Sequence, residues 1–380
     1  MHRSTITTAL SLCVSAVLLL AVAIAGPAAS GATRSGSALP SGFRVQSLSW
    51  VSPMQGWLLG VGPCGGSTCT TVLGTTDGGA TWDTLATLAA PLTSDQRSGV
   101  TGIRFADALH GWAFGPALWA TNDGGLTWKK KSAPGGGKLV PVLGADADAV
   151  YALVSACRLN EPPSRCKAPT LWRATPGGGS WTQAALTLPK GLITNIAVIA
   201  MHGEVAYLVV PTETDPDVFD VTTDGTQWSS RPDPCVKAND EQLVDVAPSS
   251  DTKVAIVCLS DPGVGQATKR VFRSNDTGET TSAAGSTPRE GINTLIAASP
   301  NGTLAVSSWS APGSWIYRNG GGTTWTTSVS LNDNGVGWND LVFTSNRLGW
   351  VVYGPAAVYP GNRPGELWRT KDGGVTWSPA

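Results

Sequence analysis

The sequence is short of charge and of histidine. Charged residues make up 14% of its 380 positions, the formal net charge is −1, and there are three histidines, of which His2 precedes the first apolar run. A chain this close to neutral has no overall field to gather a nucleic acid or an anionic membrane, so neither is expected as a partner. His110 and His202 are too few to build a triad or a metal site, and neither a metal nor a cofactor is expected. The glycine-rich stretches 135–137 and 177–179 sit at turns in a strand-rich chain and do not open helices, which excludes phosphate-binding loops.

What is present begins with export. His2 and Arg3 precede an apolar run from Ala9 to Ala25 followed by Gly26-Pro27, the pattern of a secretory signal peptide. Residues 1–32 are read as that signal, with a retained anchor as the alternative, 33–42 as a linker and 43–380 as the folded part. Either way the folded part lies outside the cytoplasm, secreted or at the cell surface. Cys13 follows Leu12 rather than a small residue, so a lipid anchor there is rejected. Six cysteines remain, and an even number outside the cell suggests disulfides. Of fifteen pairings, chain order favours Cys64 with Cys69, Cys157 with Cys166, and Cys235 with Cys258.

Some 350 residues exceed the usual limit of a single core, roughly 250 to 300, so several domains or a modular ring is required. Self-similarity decides between them. The octet Thr75-Thr-Asp77-Gly-Gly-Ala-Thr-Trp82 returns at Thr121 to Trp128, around Asp123, and at Thr370 to Trp377, around Asp372. Degenerate copies fill the gaps. They are Ala174 to Trp181 with Pro176 in place of Asp, Thr222 to Trp228 shortened around Asp224, Ser274 to Thr281 with Asp276 kept and Trp lost, and Arg318 to Trp325 with Gly320 in place of Asp. The seven copies recur every 44 to 53 residues, the length of one four-stranded propeller blade.

The octet resembles the Asp-box, or BNR repeat, of sialidases, sortilin-like receptors, xyloglucanases and photosystem II assembly-factor propellers. A second element precedes it in Gln55-Gly-Trp57, His110-Gly-Trp112 and Leu348-Gly-Trp350, and this pairing is most similar to the assembly-factor type. The resemblance implies an all-β, seven-bladed β-propeller of four-stranded antiparallel blades, expected to be monomeric. Physically, Asp with Gly-Gly makes a tight turn between two strands. The closing Trp buries roughly 150 to 250 Å², worth roughly 4 to 6 kcal/mol gross, against about 1 kcal/mol for each turn hydrogen bond. Trp should therefore outlast Asp, and the blade that loses Trp at Thr281 should be the weakest.

Labelling the strands of a blade A to D from the axis outward places the A-to-B turns and the Asp-boxes on one face. His110 and His202 fall in such A-to-B turns. The B-to-C and D-to-next-A loops, with their insertions and all three expected disulfides, share the other face, and function concentrates on loops held by a rigid scaffold. Near the A-strand starts lie Arg44, Arg97, Arg289, Asn195, Asn293, Trp338, Asn339 and Asp340; Tyr353, Tyr359 and Arg363 come from the last blade. These are the candidate ligand-binding residues. Apolar strands are expected at Ile193 to Ile199, Val205 to Val210, Val254 to Leu259 and Leu341 to Phe343.

The expected function is non-catalytic binding or assembly, engaging protein, peptide or glycan through the loop face. The alternative is a sialidase-like glycoside hydrolase. That resemblance would imply an arginine triad, a Tyr–Glu nucleophile pair and an acid–base Asp. Phe43-Arg44-Val45-Gln46 is similar to the family's Phe-Arg-Ile-Pro, without the proline, and no Tyr–Glu pair is assignable. Xyloglucanases resemble two such propellers joined, where this chain has one. Glu213, Asp215 and Asp217 are the acidic cluster from which a carboxylate pair could come.

Overall fold

A computed structural model describes residues 39–92, 99–157, 167–190, 192, 194–212, 216–356 and 364–380. Its strands form seven four-stranded antiparallel sheets, each made of four consecutive strands. Blade 1 holds β1 (Arg44–Trp50), β2 (Gly56–Cys64), β3 (Ser67–Thr75) and β4 (Asp83–Leu88); blade 2 holds β5 (Gly102–Phe105), β6 (Gly111–Phe114), β7 (Leu118–Thr121) and β8 (Lys129–Lys131). Blade 3 holds β9 (Leu139–Asp146), β10 (Ala149–Ser155), β11 (Thr170–Ala174) and β12 (Thr182–Gln183); blade 4 holds β13 (Val198–His202), β14 (Val205–Val210), β15 (Val218–Thr222) and β16 (Ser229–Ser230). Blade 5 holds β17 (Glu241–Pro248), β18 (Val254–Gly263), β19 (Gln266–Ser274) and β20 (Ser282–Ser286); blade 6 holds β21 (Asn293–Ala298), β22 (Leu304–Ser310), β23 (Gly313–Asn319) and β24 (Thr326–Leu331). Blade 7 holds β25 (Trp338–Phe343), β26 (Gly349–Tyr353), β27 (Glu366–Thr370) and β28 (Ser378–Pro379).

The expected strand at 193–199 is corrected. Thr194–Ile196 forms a single 3-10 turn and the inner strand begins at Val198. Leu192, Ala197 and Ile199 are buried in one cluster while Ile196 is 45% exposed. That spacing does not alternate, and a turn brings the three buried residues to the same side. Among the described residues no helix is long and apolar enough to cross a membrane; the run Ala9 to Ala25 lies outside them.

Backbone hydrogen bonds fix the two faces. The amides of Gly78, Gly124, Thr277 and Gly373, in the C-to-D turns, donate to Met54, Leu109, Thr252 and Arg347 in the A-to-B turns of the same blades. The Asp-boxes therefore share one face with the A-to-B turns, and the remaining loops lie on the other.

Each sheet buries both of its faces against neighbours, producing seven apolar clusters, one between every two successive blades. The cluster between blades 7 and 1 joins Trp350, Val352 and Leu367 to Phe43, Val45, Leu58 and Trp82, and among the described residues no strand is exchanged between the two blades. Trp82, Trp128, Trp181, Trp228, Trp325 and Trp377 each reach the interface with the preceding blade. The interface between blades 4 and 5 lacks a box tryptophan, because its box ends in the exposed Thr281. It holds the disulfide Cys235–Cys258 instead, buried beside Tyr207, Phe219 and Ile256. Cys64 and Cys69 are also bonded, and Cys157 is disulfide-bonded, its expected partner Cys166 lying outside the described residues.

The boxes are self-contained polar knots. Thr75 donates its hydroxyl to Asp77 Oδ1 (2.8 Å) and receives the amide of Gly79 (3.0 Å), while Thr81 gives its amide to Oδ1 (2.9 Å) and its hydroxyl to Oδ2 (2.6 Å). The same pattern surrounds Asp123, Asp276 and Asp372. In the shortened box, Asp224 Oδ1 receives the amides of Thr226 and Gln227, both at 2.8 Å. The Thr280 hydroxyl and amide hold Asp276 down to about 2, and the Gln227 and Thr226 amides do the same for Asp224. In the sixth box, which has no Asp, the fully buried Asn319 takes over. It receives the Gly321 amide (2.8 Å) and donates Nδ2 to Thr324 O (2.9 Å).

Two stability predictions follow from these contacts. Trp82→Ala should cost about 3 to 5 kcal/mol in urea unfolding, and Asp77→Ala about 1 to 2 kcal/mol; equal costs would contradict the view that the box is chiefly an anchor for its tryptophan. Replacing Cys235 and Cys258 together by Ser should lower stability by about 3 kcal/mol, set by the closed loop.

Candidate functional site at the axial channel

All seven A strands face a central channel, which widens at both ends. The box-face end is a cavity of about 240 Å³ beside Trp50, Phe105, Ala145, Met201 and Val342. The loop-face end is larger, about 730 Å³, within the range of small-ligand sites. Its wall is apolar, with Val142, Val198, Leu259, Ile292, Leu295 and Trp309 among its members. Gln242, Asn293, Thr294 and Asn339 add amide and hydroxyl groups, and Arg104 and Asp340 lie deeper in the throat.

The throat is where the first and last blades are stitched together. Asp340 of blade 7 accepts the Leu48 amide (3.0 Å) and the Ser47 hydroxyl of blade 1 through Oδ2, and the Arg104 guanidinium of blade 2 (2.7 Å) through Oδ1. Arg104 also donates to the carbonyls of Leu48 (3.2 Å) and Ile103 (2.7 Å), so one ion pair spans three blades. A parallel chain of amides runs beside it. Asn339 Nδ2 donates to Gln46 O (2.9 Å), and Gln46 Nε2 donates to Thr101 O (3.3 Å). Two further latches of this kind pass from one inner strand to the next. Ser47 Oγ receives the Ile103 amide (3.1 Å), and Asp245 Oδ2 receives the Ile296 amide (2.9 Å). The residues Ser47, Asp245 and Asp340 all sit at register shifts in their strands, where the bulge turns a side chain toward the next blade.

Of the candidate ligand-binding residues, Asn293, Asn339 and Asp340 line the channel. Trp338 does not reach it with a free face. It is 1% exposed and packs between Tyr353 (4.9 Å between ring centroids) and Trp368 (5.6 Å), while the Tyr353 hydroxyl donates to Asp333 (2.7 Å). Both aromatics are core between blades 6 and 7. Arg44 opens β1 but is not in the channel lining, and Arg289 is exposed ahead of β21. Arg97, Tyr359 and Arg363 lie outside the described residues, as do Glu213 and Asp215; nothing is described of the Asn195 side chain. Asp217 is buried and committed to the Thr212 amide, the Leu243 amide and Lys237 Nζ, each of the first and last at 2.7 Å. The residues that sequence reading missed are Arg104, Asp245 and Trp309. Arg104 is the one charge in the four-residue strand GIRF, and Asp245 is a charge between the apolar Val244 and Val246, which is the signal that could have found them.

Asp245 is an acid buried in the channel wall. Burial pushes its carboxyl up to about 7, although the Ile296 and Val246 amides and the charge of Arg104 act the other way. A folded value above the ordinary 3.8 means that the folded chain holds a proton the unfolded chain releases. The associated stability is complete below about pH 4 and is lost as pH rises through about 7. Replacing Asp245 by Asn should flatten the difference in urea midpoint between pH 4.5 and pH 8, and carbon NMR of the wild-type carboxyl should titrate near 7.

No protein-family model matches the chain, and a search of curated proteins finds no relative. Solved structures do share its architecture. YCF48 bound to D1 peptide is 18% identical with a TM-score of 0.52, the match covering 88% of this chain and 94% of that one. YCF48 from Cyanidioschyzon merolae is 17% identical with a TM-score of 0.46, over 73% and 84% of the two chains. An α-L-arabinofuranosidase from Fusarium graminearum, solved with an iminosugar inhibitor, is 14% identical with a TM-score of 0.43, over 83% and 90%. At these identities the likeness speaks for the fold alone, and with the seven four-stranded sheets it identifies the chain as a seven-bladed β-propeller.

Proposed function

We propose that this propeller is an extracytoplasmic binding module that takes an extended peptide segment of a partner protein at the loop-face mouth of its channel. The observation that carries this reading is the state of the acids there. Both oxygens of Asp340 and both oxygens of Asp245 accept hydrogen bonds from backbone amides, Ser47 or Arg104. Acids whose two oxygens are both taken up in this way hold the inner strands in place and have none free to face a substrate, and this holds for Asp245 even though it keeps its proton up to about pH 7. The remaining surface, an apolar wall with amide side chains at its rim, suits a peptide that inserts an apolar side chain and pairs its backbone with Gln242, Asn293 and Asn339. YCF48, which shares the fold, has been solved with a peptide bound. The disulfides support a site of action outside the reducing cytoplasm.

The test is selection of random peptides on the intact protein, followed by titration against wall variants. Enriched peptides should carry apolar residues, bind at micromolar Kd and lose at least tenfold on Leu295→Glu or Trp309→Ala. A parallel panel of fluorogenic glycosides, sialosides included, should stay at the level of a boiled control. Hydrolysis abolished by Asp340→Asn, or peptides that bind both wall variants as well as wild type, would overturn the proposal.

A further inference from the structure

Four of the ten lysines in the chain fall within ten residues, at Lys129, Lys130, Lys131 and Lys138. The first three are the whole of β8, the outermost strand of blade 2, and all are exposed. Lys131 pairs with Leu118 at the loop-face end of the blade, and there the connection to blade 3 folds back to form a groove of about 450 Å³. Pro116, Ala117 and Leu118 form one side, and Ser132, Ala133 and Gly137 the other, with Lys130, Lys131 and Lys138 lining it. Gly137 is required for that wall, because a Cβ there would meet Val154 Cγ1 at 2.0 Å.

The charge is local and uncompensated. The lining contains no acidic residue, and among the described residues none of the four ammonium groups enters an ion pair or a side-chain hydrogen bond. Lysines at an edge can serve to discourage sheet-to-sheet association. That role does not account for this cluster, because the outermost strands of the other six blades (DTLATL, TQ, SS, SAAGS, TTSVSL and SP) contain no lysine or arginine. Lys130, Lys131 and Lys138 bring three ammonium groups to one groove, where they repel one another. A bound anion would relieve that repulsion.

The lining also narrows the class of anion. It lacks arginine, the residue suited to bidentate carboxylate pairing, and offers compact ammonium charges. It lacks any aromatic ring on which a base or sugar could stack. We infer that this groove is a second binding site, separate from the channel, for a linear polymer of phosphate groups without bases. The near-zero net charge of the chain confines the attraction to this groove.

The test uses the intact protein and inorganic polyphosphate of defined length, titrated from 50 to 300 mM salt. Binding should weaken steeply with salt. The triple variant Lys129→Gln, Lys130→Gln, Lys131→Gln should lose at least tenfold at 50 mM and reduce the logarithmic salt slope by about 1.4, at roughly 0.7 for each of the two replaced lysines that line the groove. Lys138→Gln, on the opposite wall, should lose about threefold, and both variants should melt at the wild-type temperature. A control triple at the exposed Lys190, Lys253 and Lys371 should bind as wild type does. The inference is overturned if wild type does not bind polyphosphate at 50 mM, or if the control triple loses as much. Equal affinity for poly-glutamate would overturn the phosphate assignment, and tighter lysine-dependent binding to vesicles of anionic phospholipid would assign the surface to a bilayer instead.

Discussion

The structure depends on the burial of each blade against the next. A four-stranded sheet cannot bury two apolar faces by itself, so a blade is stable only between two neighbours, and the arrangement must close to leave no end exposed. Among the described residues no strand is shared between the first and last blades. The interface between blades 7 and 1 is therefore made chiefly from side chains, helped by two backbone bonds, from the Val45 amide to Gly365 O (2.7 Å) and from the Ala356 amide to Val45 O (3.0 Å). It is supplied by the Trp50–Trp350 stack, with ring centroids 4.9 Å apart, and by Asp340, which binds blades 1 and 2 together on the axis. Asn339 and Gln46 add a second row of bonds across the same seam.

The box turns and the interfaces are two parts of one device. The Thr–Asp–Thr knot fixes the C-to-D turn so that the tryptophan after it enters the cluster between its own blade and the preceding one. Where the tryptophan is missing, the same interface gains Cys235–Cys258, and Arg231 reaches from the end of blade 4 to donate to Thr277 O (2.9 Å) and to pair with Glu279 (3.0 Å) in the box of blade 5. Blade 5 also carries Lys269, fully buried, whose ammonium donates to the carbonyls of Ala267, Arg289, Glu290 and Gly291 at 3.0 to 3.2 Å. The expectation of a weak fifth blade thus meets a blade reinforced by other means.

These structural demands shape what the loop face offers. The acids closest to the axis are spent on inter-blade latches, which leaves the channel mouth apolar with an amide rim. Lys269 secures the segment immediately before Ile292 and Asn293, so the wall of the mouth on blade 6 is held by blade 5. The lysine groove of blade 2 opens on the same face but lies at the rim, where the lysine side chains are exposed.

The sequence by itself determined the repeat, the blade number, the turn chemistry and the division into two faces, because all four are encoded within a window of about eight residues or in the spacing of such windows. It also placed the local pairs Cys64–Cys69 and Cys235–Cys258. It could not show which side chains meet across blades, since Asp340 and Leu48 are 292 positions apart and Arg104 and Asp340 are 236 apart. For that reason Trp338 and Tyr353 read as surface aromatics although neighbouring blades bury them, and Arg104 and Asp245 passed unnoticed in inner strands. Local patterning fixes the turn and the period. Only ring closure, which brings distant inner strands side by side around one axis, decides whether a polar residue on those strands faces a ligand or holds the next blade in place.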